Sequence, residues 1–290
     1  MNRIIRIGTR DSQLAVIQAQ IVARSIEAYC PDIHTELVPM KTTGDRILSV
    51  TLDKIGGKGL FVKELDRALK DGDVDITVHS MKDMPAELDP ELPVVAVSLR
   101  EDPRDVLVYA KGAGGLKDGL PIGCSSMRRQ LQLKTLLSNP VLPVRGNVLT
   151  RLQKLDDGNF GALILAWAGL RRLNLQDRAG RVFSTEEMIP AAGQGILAVQ
   201  ARKGEDTSFL NDFHSPDAWD AAQAERTFIR VLDGGCSSPI AAYAQVCGDE
   251  LLLSGLYFHE ADGSVHKGKI RGSRADAQKL GEQLALQLRG

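Results

Sequence analysis

Short apolar runs alternate with helix-period segments along the first half of the chain, and that alternation leaves few folds open. Runs at 4–8, 35–40, 75–78, 93–99 and 106–109 have the length and β-branched character of buried strands. Leu14, Ile17, Ile21, Ile26 and Tyr29 mark one face of a helix after the first run, and a second helical stretch covers 60–69. Strand and helix in turn predict α/β layers around a largely parallel sheet. A second block repeats the pattern, with strands expected at 121–124, 141–144 and 162–165 and helices at 126–137 and 148–155. The segment Pro190-Ala191-Ala192-Gly193-Gln194-Gly195 reads as a hinge or a ligand-approaching loop, followed by an extended run at 196–201, and is where the chain would cross between lobes. Beyond it, Ser215 and Pro216 form an N-cap and N1 pair for a helix to residue 232. Strands at 240–246, 251–258 and 265–270 and a helix at 275–288 complete a small α+β domain. A chain of 290 residues exceeds the usual span of one core, which agrees with several domains.

With 43% hydrophobic and 25% charged residues, the composition is that of an ordinary globular protein. The longest apolar stretch, 161–170, falls far short of the roughly 20 residues a spanning helix needs, so no membrane span is expected. The opening Met1-Asn2-Arg3-Ile4-Ile5-Arg6-Ile7-Gly8 lacks the apolar core of a signal peptide and reads as a strand, which makes the cytoplasm the expected location. Cys30, Cys124, Cys236 and Cys247 form no C-x-x-C pair and the histidines no H-E-x-x-H, so no metal site is expected. Lys plus Arg (36) nearly balance Asp plus Glu (37), without the global basicity of a nucleic-acid binder. An anion site would have to come from local concentration of cations.

Such a concentration is written beside glycines and at expected element ends, in Arg10, Lys54, Lys58, Arg128, Arg129, Arg145, Arg151 and Arg172. In an α/β sheet these positions face the crevice at the carboxyl ends of the strands. Arginine forks pair with carboxylates through two parallel hydrogen bonds, so the set suits a ligand with many carboxylates, although each residue singly reads equally as a solvated surface charge. Gly56-Gly57-Lys58-Gly59 is not a nucleotide loop, because the lysine of a P-loop is followed by Ser or Thr. Asp83, in His79-Ser80-Met81-Lys82-Asp83-Met84-Pro85, lies just past a strand, where a carboxylate can stabilise a developing cation and move protons. Cys236, between Gly235 and Ser237 in a loop after a helix, is a candidate nucleophile or attachment point. These residues also fit a noncatalytic module that captures a polycarboxylate, which needs neither Asp83 nor Cys236, and a cysteine-dependent transferase or hydrolase.

Taken in order, Gly8-Thr9-Arg10-Asp11-Ser12-Gln13-Leu14-Ala15, Gly56-Gly57-Lys58-Gly59-Leu60-Phe61-Val62-Lys63-Glu64-Leu65, His79 to Pro85, Arg100-Glu101-Asp102-Pro103-Arg104-Asp105, Ser125-Ser126-Met127-Arg128-Arg129-Gln130, Arg145-Gly146-Asn147-Val148, Gly193-Gln194-Gly195 and Gly234-Gly235-Cys236 resemble the porphobilinogen deaminases almost from end to end. The resemblance implies an α/β protein with two periplasmic-binding-protein-like (type II) lobes and a small α+β C-terminal domain. The expected divisions are 1–99 with 195–214, 100–194, and 215–290. It implies a transferase of porphyrin biosynthesis that condenses four porphobilinogen molecules head to tail, with loss of ammonia, on a dipyrromethane primer, then frees hydroxymethylbilane by hydrolysis. The dipyrromethane would be held by a thioether to Cys236, with Asp83 as the catalytic carboxylate. Lys82, Asp83, Ser125, Ser126, Arg128, Arg129, Arg145 and Gly146 would hold the cofactor. Arg10, Ser12, Lys54, Lys58, Arg145, Arg151, Arg172 and Gln194 would take the carboxylates of substrate and growing chain. A monomer is implied, with product passing to uroporphyrinogen-III synthase. Departures are small: Cys124 stands where Thr is usual, Met127 where Leu is usual, and Ser237-Ser238 where the family varies.

Overall fold

The computed structural model describes residues 3–46, 62–116, 119–233, 239–259 and 262–290. Lys54, Lys58 and Cys236 lie outside the described residues. The first sheet comprises β1 (Arg3–Arg10), β2 (Ile33–Met40), β3 (Ile76–Ser80), β4 (Val94–Val97) and, from much later in the chain, β10 (Leu197–Ala201), in the order β2-β1-β3-β10-β4. The second holds β5 (Asp105–Tyr109), β6 (Ile122–Gly123), β7 (Val141–Leu142), β8 (Ala162–Ala166) and β9 (Ala179–Val182), in the order β7-β6-β8-β5-β9. The two orders are the same pattern. In each, a strand that has crossed from the other lobe is inserted beside the third strand and runs antiparallel to both neighbours. The sheets are therefore mixed and not largely parallel, because β5 and β10 enter from the opposite lobe instead of following a helical crossover.

The two crossings, residues 98–104 and 183–196, touch, with Glu101 N–H donating to the Gly195 carbonyl at 3.1 Å. Gly195 has φ 92, and a Cβ there would lie 2.1 Å from the Glu101 carbonyl oxygen, so the close approach requires glycine. A third, antiparallel sheet of β11 (Ala241–Cys247), β12 (Glu250–His259) and β13 (Ser264–Ser273) packs on two helices.

Helix α1 (Gln13–Tyr29) buries Ala15, Gln18, Ala19, Val22, Ala23 and Ile26 against the first sheet. This face is rotated from the expected Leu14, Ile17, Ile21, Ile26, Tyr29 stripe, of which only Ile26 is fully buried and Tyr29 is 62% exposed. Small side chains let the helix lie close to the strands, and the larger ones are left at its flanks. Leu14 turns instead toward the second lobe, 3.6 Å from the Cβ position of Gly169. The remaining helices of six or more residues among the described residues are α2 (Lys63–Asp71), α3 (Met127–Leu133), α4 (Val148–Asp156), α5 (Trp167–Arg172), α6 (Pro216–Val231) and α7 (Ala277–Arg289). The helix expected at 126–137 ends four residues early, where the Leu133 carbonyl accepts from both Leu136 and Leu137 and the chain tightens into turns before Pro140. Strand β9 and helix α5 have no counterpart among the expectations. Among the described residues no helix is long and apolar enough to cross a membrane.

Candidate active site

In the first lobe Gly8 allows β1 to run tightly along the sheet, since a Cβ would lie 2.9 Å from Thr77 Cγ2. Thr9 Oγ1 donates to the Ala15 carbonyl at 3.0 Å, and Ser12 caps α1 by accepting from Ala15 N–H at 3.4 Å. Arg10, half-buried, closes the strand. Strand β3 runs directly into a 3-10 turn, Met81–Asp83. That turn is pinned from the second crossing, because Met81 N–H donates to the Ile196 carbonyl at 3.0 Å and Gly193, at φ 71, lies so near that a Cβ would be 2.4 Å from Met81 Cγ. With Met81 only 2% exposed as the anchor, the half-buried Lys82 and Asp83 are held at the carboxyl end of β3.

The second lobe answers with arginines organised on a buried carboxylate. Asp105, at the start of β5 and fully buried, accepts at Oδ1 from Arg129 Nε (3.0 Å), Arg129 Nη2 (2.7 Å) and Gln194 Nε2 (2.9 Å), and its Oδ2 is 2.8 Å from Arg128 Nη1. Arg128 also donates to the Ile189 carbonyl at 2.7 Å, and Gln194 to that of Pro103 at 2.6 Å. Burial alone would push the Asp105 carboxyl up, but the two guanidiniums overcome it and hold it well below the usual carboxylate range. Nearby, Ser125 Oγ donates to the Val144 carbonyl (2.6 Å) and accepts from its N–H (3.0 Å), tying the ends of β6 and β7 together. Ser126 stands at the N-cap position of α3 without a side-chain capping bond, its carbonyl accepting from Gln130 N–H at 2.9 Å. Gly146, at φ 112, leaves no room for a Cβ beside Thr150, and its carbonyl accepts from Arg151 Nε at 2.8 Å.

The two lobes meet electrostatically around Asp83. Burial pushes Lys82 down to about 8, with Asp83 opposing and Arg129 and Arg128 adding to the fall. Burial likewise lowers Arg151 to about 10, helped by Arg129 and Arg145 and resisted by Asp83. Lys82, Asp83, Arg128, Arg129, Arg145 and Arg151 thus form one interacting group drawn from both lobes. Arg172 stands apart, donating to the Gly195 carbonyl at 2.6 Å, and is lowered to about 10 by burial. Arg10 acts on His79, which burial first and Arg10 second lower to about 4. Arg128, Arg129 and Gln194, expected to face ligand carboxylates, already spend hydrogen bonds on Asp105. Asp105 itself was not singled out; a lone acid opening the apolar run Val106–Tyr109 is the signal that would have marked it. The same holds for Glu225, which shares the helical face of Ala218, Ala221, Ala222 and Phe228 and is fully buried.

Within this group cations outnumber carboxylates, and burial, with the neighbouring guanidiniums adding to it, lowers both Lys82 and Arg151. A ligand bearing several carboxylates would relieve that excess, so the donor set fits a dipyrromethane with acetate and propionate arms. Among the described residues no cluster of His, Cys, Asp and Glu could hold a metal ion.

Two α/β lobes meeting across a cationic group with one half-buried carboxylate, together with a third, smaller sheet-and-helix unit, make an arrangement suited to a polyanionic ligand. Comparison with known proteins makes this specific. Residues 5–210 match the family domain described as porphobilinogen deaminase, dipyromethane cofactor binding domain, and residues 219–290 match the porphobilinogen deaminase C-terminal domain. The porphobilinogen deaminase of Acetivibrio thermocellus is 58% identical over 285 residues, covering 98% of this chain and 97% of its own length. That of Alkaliphilus oremlandii is 57% identical over 287 residues, covering 99% and 97%. Among solved structures, the methionine binding protein MetQ aligns at 14% identity over 76% of this chain and 94% of its own, with a TM-score of 0.46. The chain belongs to the porphobilinogen deaminase family, and is an enzyme with a dipyrromethane cofactor domain.

Proposed function

We propose that this enzyme is a transferase that joins four porphobilinogen molecules head to tail, with loss of ammonia, and releases hydroxymethylbilane by hydrolysis. The dipyrromethane, attached through a thioether to Cys236, supplies a pyrrole primer whose free α-carbon is the nucleophile. Asp83 is the residue that touches the reacting atoms: its carboxylate holds pyrrole N–H groups, stabilises the cation formed when substrate loses ammonia and accepts a proton after coupling. Lys82, Arg129, Arg145 and Arg151 bind acetate and propionate arms, and Arg10 and Ser12 extend that surface along the first lobe. Lys54, Lys58 and Arg172 complete the carboxylate-binding set by motif. Arg128 and Gln194 act by way of Asp105, holding Arg129 in place. Working location is the cytoplasm, the working form a monomer, and the product passes to uroporphyrinogen-III synthase. The divisions at 99/100, 194/195 and 214/215 mark the three domains, with hinges at the two crossings.

The observation that carries this reading is the placement of Asp83 within the electrostatic reach of arginines from the opposite lobe. Its test begins with intact mass. Protein with Cys236 gains the mass of two pyrrole units and a Cys236→Ser variant stays bare; bare masses for both after incubation with porphobilinogen would overturn the tether. Given preformed cofactor, Asp83→Asn is expected to keep fold and attachment while ammonia release falls by about 10²-fold or more, the scale of a lost acid–base group. Near-normal ammonia release by that variant would remove Asp83 from the chemistry.

A further inference from the structure

A cavity of about 470 Å³ opens between α6 and the segment following the Met81–Asp83 turn; Met81 lines it, while Lys82 and Asp83 do not. Leu88, Val94 and Ala222 give it apolar walls, and Trp219 adds an indole. Its volume is within the range of small-molecule sites, roughly 300–1,000 Å³. Two of its charged residues are occupied with building the wall: Arg226 donates to the carbonyls of Pro85 (2.7 Å) and Ala86 (3.1 Å), and Asp89 pairs with Lys70 at 2.5 Å. The other two, Glu87 and Arg230, line the same space, are exposed, and make no side-chain hydrogen bond or ion pair among the described residues.

A mixed pocket with apolar walls, an indole, and one carboxylate and one guanidinium that have no side-chain partner among the described residues is complementary to a flat molecule carrying both charges. We infer that this cavity binds a small zwitterion, its apolar body against Trp219, its carboxylate on Arg230 and its ammonium on Glu87, and that occupancy acts on the catalytic turn through Met81. The transmission is steric. Met81 packs in one cluster with Leu88, Val94, Trp219 and Ala222, and Gly193 presses on it from the second crossing. A close-packed side chain held between a ligand and a crossing backbone passes displacement to the turn it anchors.

The probe is 4-(aminomethyl)benzoate, titrated calorimetrically into the full chain. One saturable site is expected, weakened about threefold or more by Arg230→Met and by Glu87→Gln, the scale for solvent-facing ion pairs, and about tenfold by the double change. Ala86→Trp, which fills the cavity from the loop side, should abolish binding with an unchanged melting midpoint. In turnover assays saturating probe should lower kcat at constant KM in the wild type and leave Arg230→Met unaffected. Absence of saturable heat, binding indifferent to the three changes, an unchanged kcat at saturation, or a raised KM, which would place the probe among the substrate carboxylate groups, each overturns the inference. The calorimetric arm needs no catalysis, so its failure is distinct from failure of the proposed reaction.

Discussion

Arg128 and Arg129 are 5% and 9% exposed at their side chains, and the carboxylate they share is Asp105. Changing Asp105 to Asn removes the counter-charge and leaves two buried guanidiniums with carbonyl oxygens as acceptors. Breaking a buried ion pair from one side costs about 3–5 kcal/mol, so Asp105→Asn should lower the unfolding free energy by that order in a urea titration, despite the near-identical shape. A change confined to turnover, with stability intact, would make Asp105 a ligand-binding group instead. Lys82 tests the same environment through pH. Its folded value of about 8 lies below the ordinary 10.5, so between those values the unfolded chain binds the proton that the folded chain has released. Stability therefore rises with pH across that window, and the penalty of burying charge is fully present below it. In the Cys236→Ser background, Lys82→Met should gain on the order of 3 kcal/mol at pH 7 and lose that advantage above pH 10.5, where both side chains are uncharged.

At the scale of elements, most strands were legible as short apolar runs, β9 with its Gly180 and Arg181 being the exception, and α6 was legible because Ser215 caps it, accepting from Ala218 N–H, with Pro216 in its first turn. Strand direction was not. Whether β10 runs with or against β3 depends on where the chain re-enters the sheet, and nothing in Leu197–Ala201 records that. The face of α1 misled because apolar bulk was weighed above fit; Ala15, Ala19 and Ala23 bury better than Leu14 and Ile17 where a helix must lie close to strands. The candidate site residues are marked in the sequence by motifs, but their partners are not, since the Asp105 to Gln194 contact spans 89 residues. Gly193 shows what the second crossing does for the turn it pins. Its φ of 71 and the 2.4 Å approach to Met81 make Gly193→Ala strained both in backbone and in space. The expected result is a loss of about 1–3 kcal/mol in stability together with a lower kcat, because the displaced Met81 carries Lys82 and Asp83 with it. Equilibrium unfolding and steady-state rates on the same preparation check it, and a stability loss without a kcat change would separate the glycine from the site.

For the molecule as a whole, one carboxylate gathers bonds from both crossings and from the third sheet. Glu225, on α6, accepts from Arg100 of the first crossing at 2.7 Å, from Gly193 N–H of the second at 2.7 Å and from Ala244 N–H of β11 at 2.7 Å. Burial pushes its carboxyl up, and Arg100 with the two backbone donors pulls it back. Arg100, 12% exposed at its side chain, also lies over the Tyr243 ring at 5.3 Å, so the first crossing is fixed to the third domain from two directions. Glu225→Gln keeps the shape but sets an NH2 group against one of three donors and leaves Arg100 without a counter-charge. If this contact couples the lobes to the third domain, the variant should lose about 3–5 kcal/mol and its calorimetric trace should split, because a chain whose domains no longer support one another ceases to unfold as a unit. The paired change Arg100→Met with Glu225→Met removes both charges, and should recover part of the loss while the split persists, since the methionine that replaces Glu225 accepts from neither Gly193 nor Ala244. A single cooperative transition in Glu225→Gln, merely shifted to lower temperature, would mean that the apolar contacts of α6 hold the domains together and that the carboxylate adds only local stability.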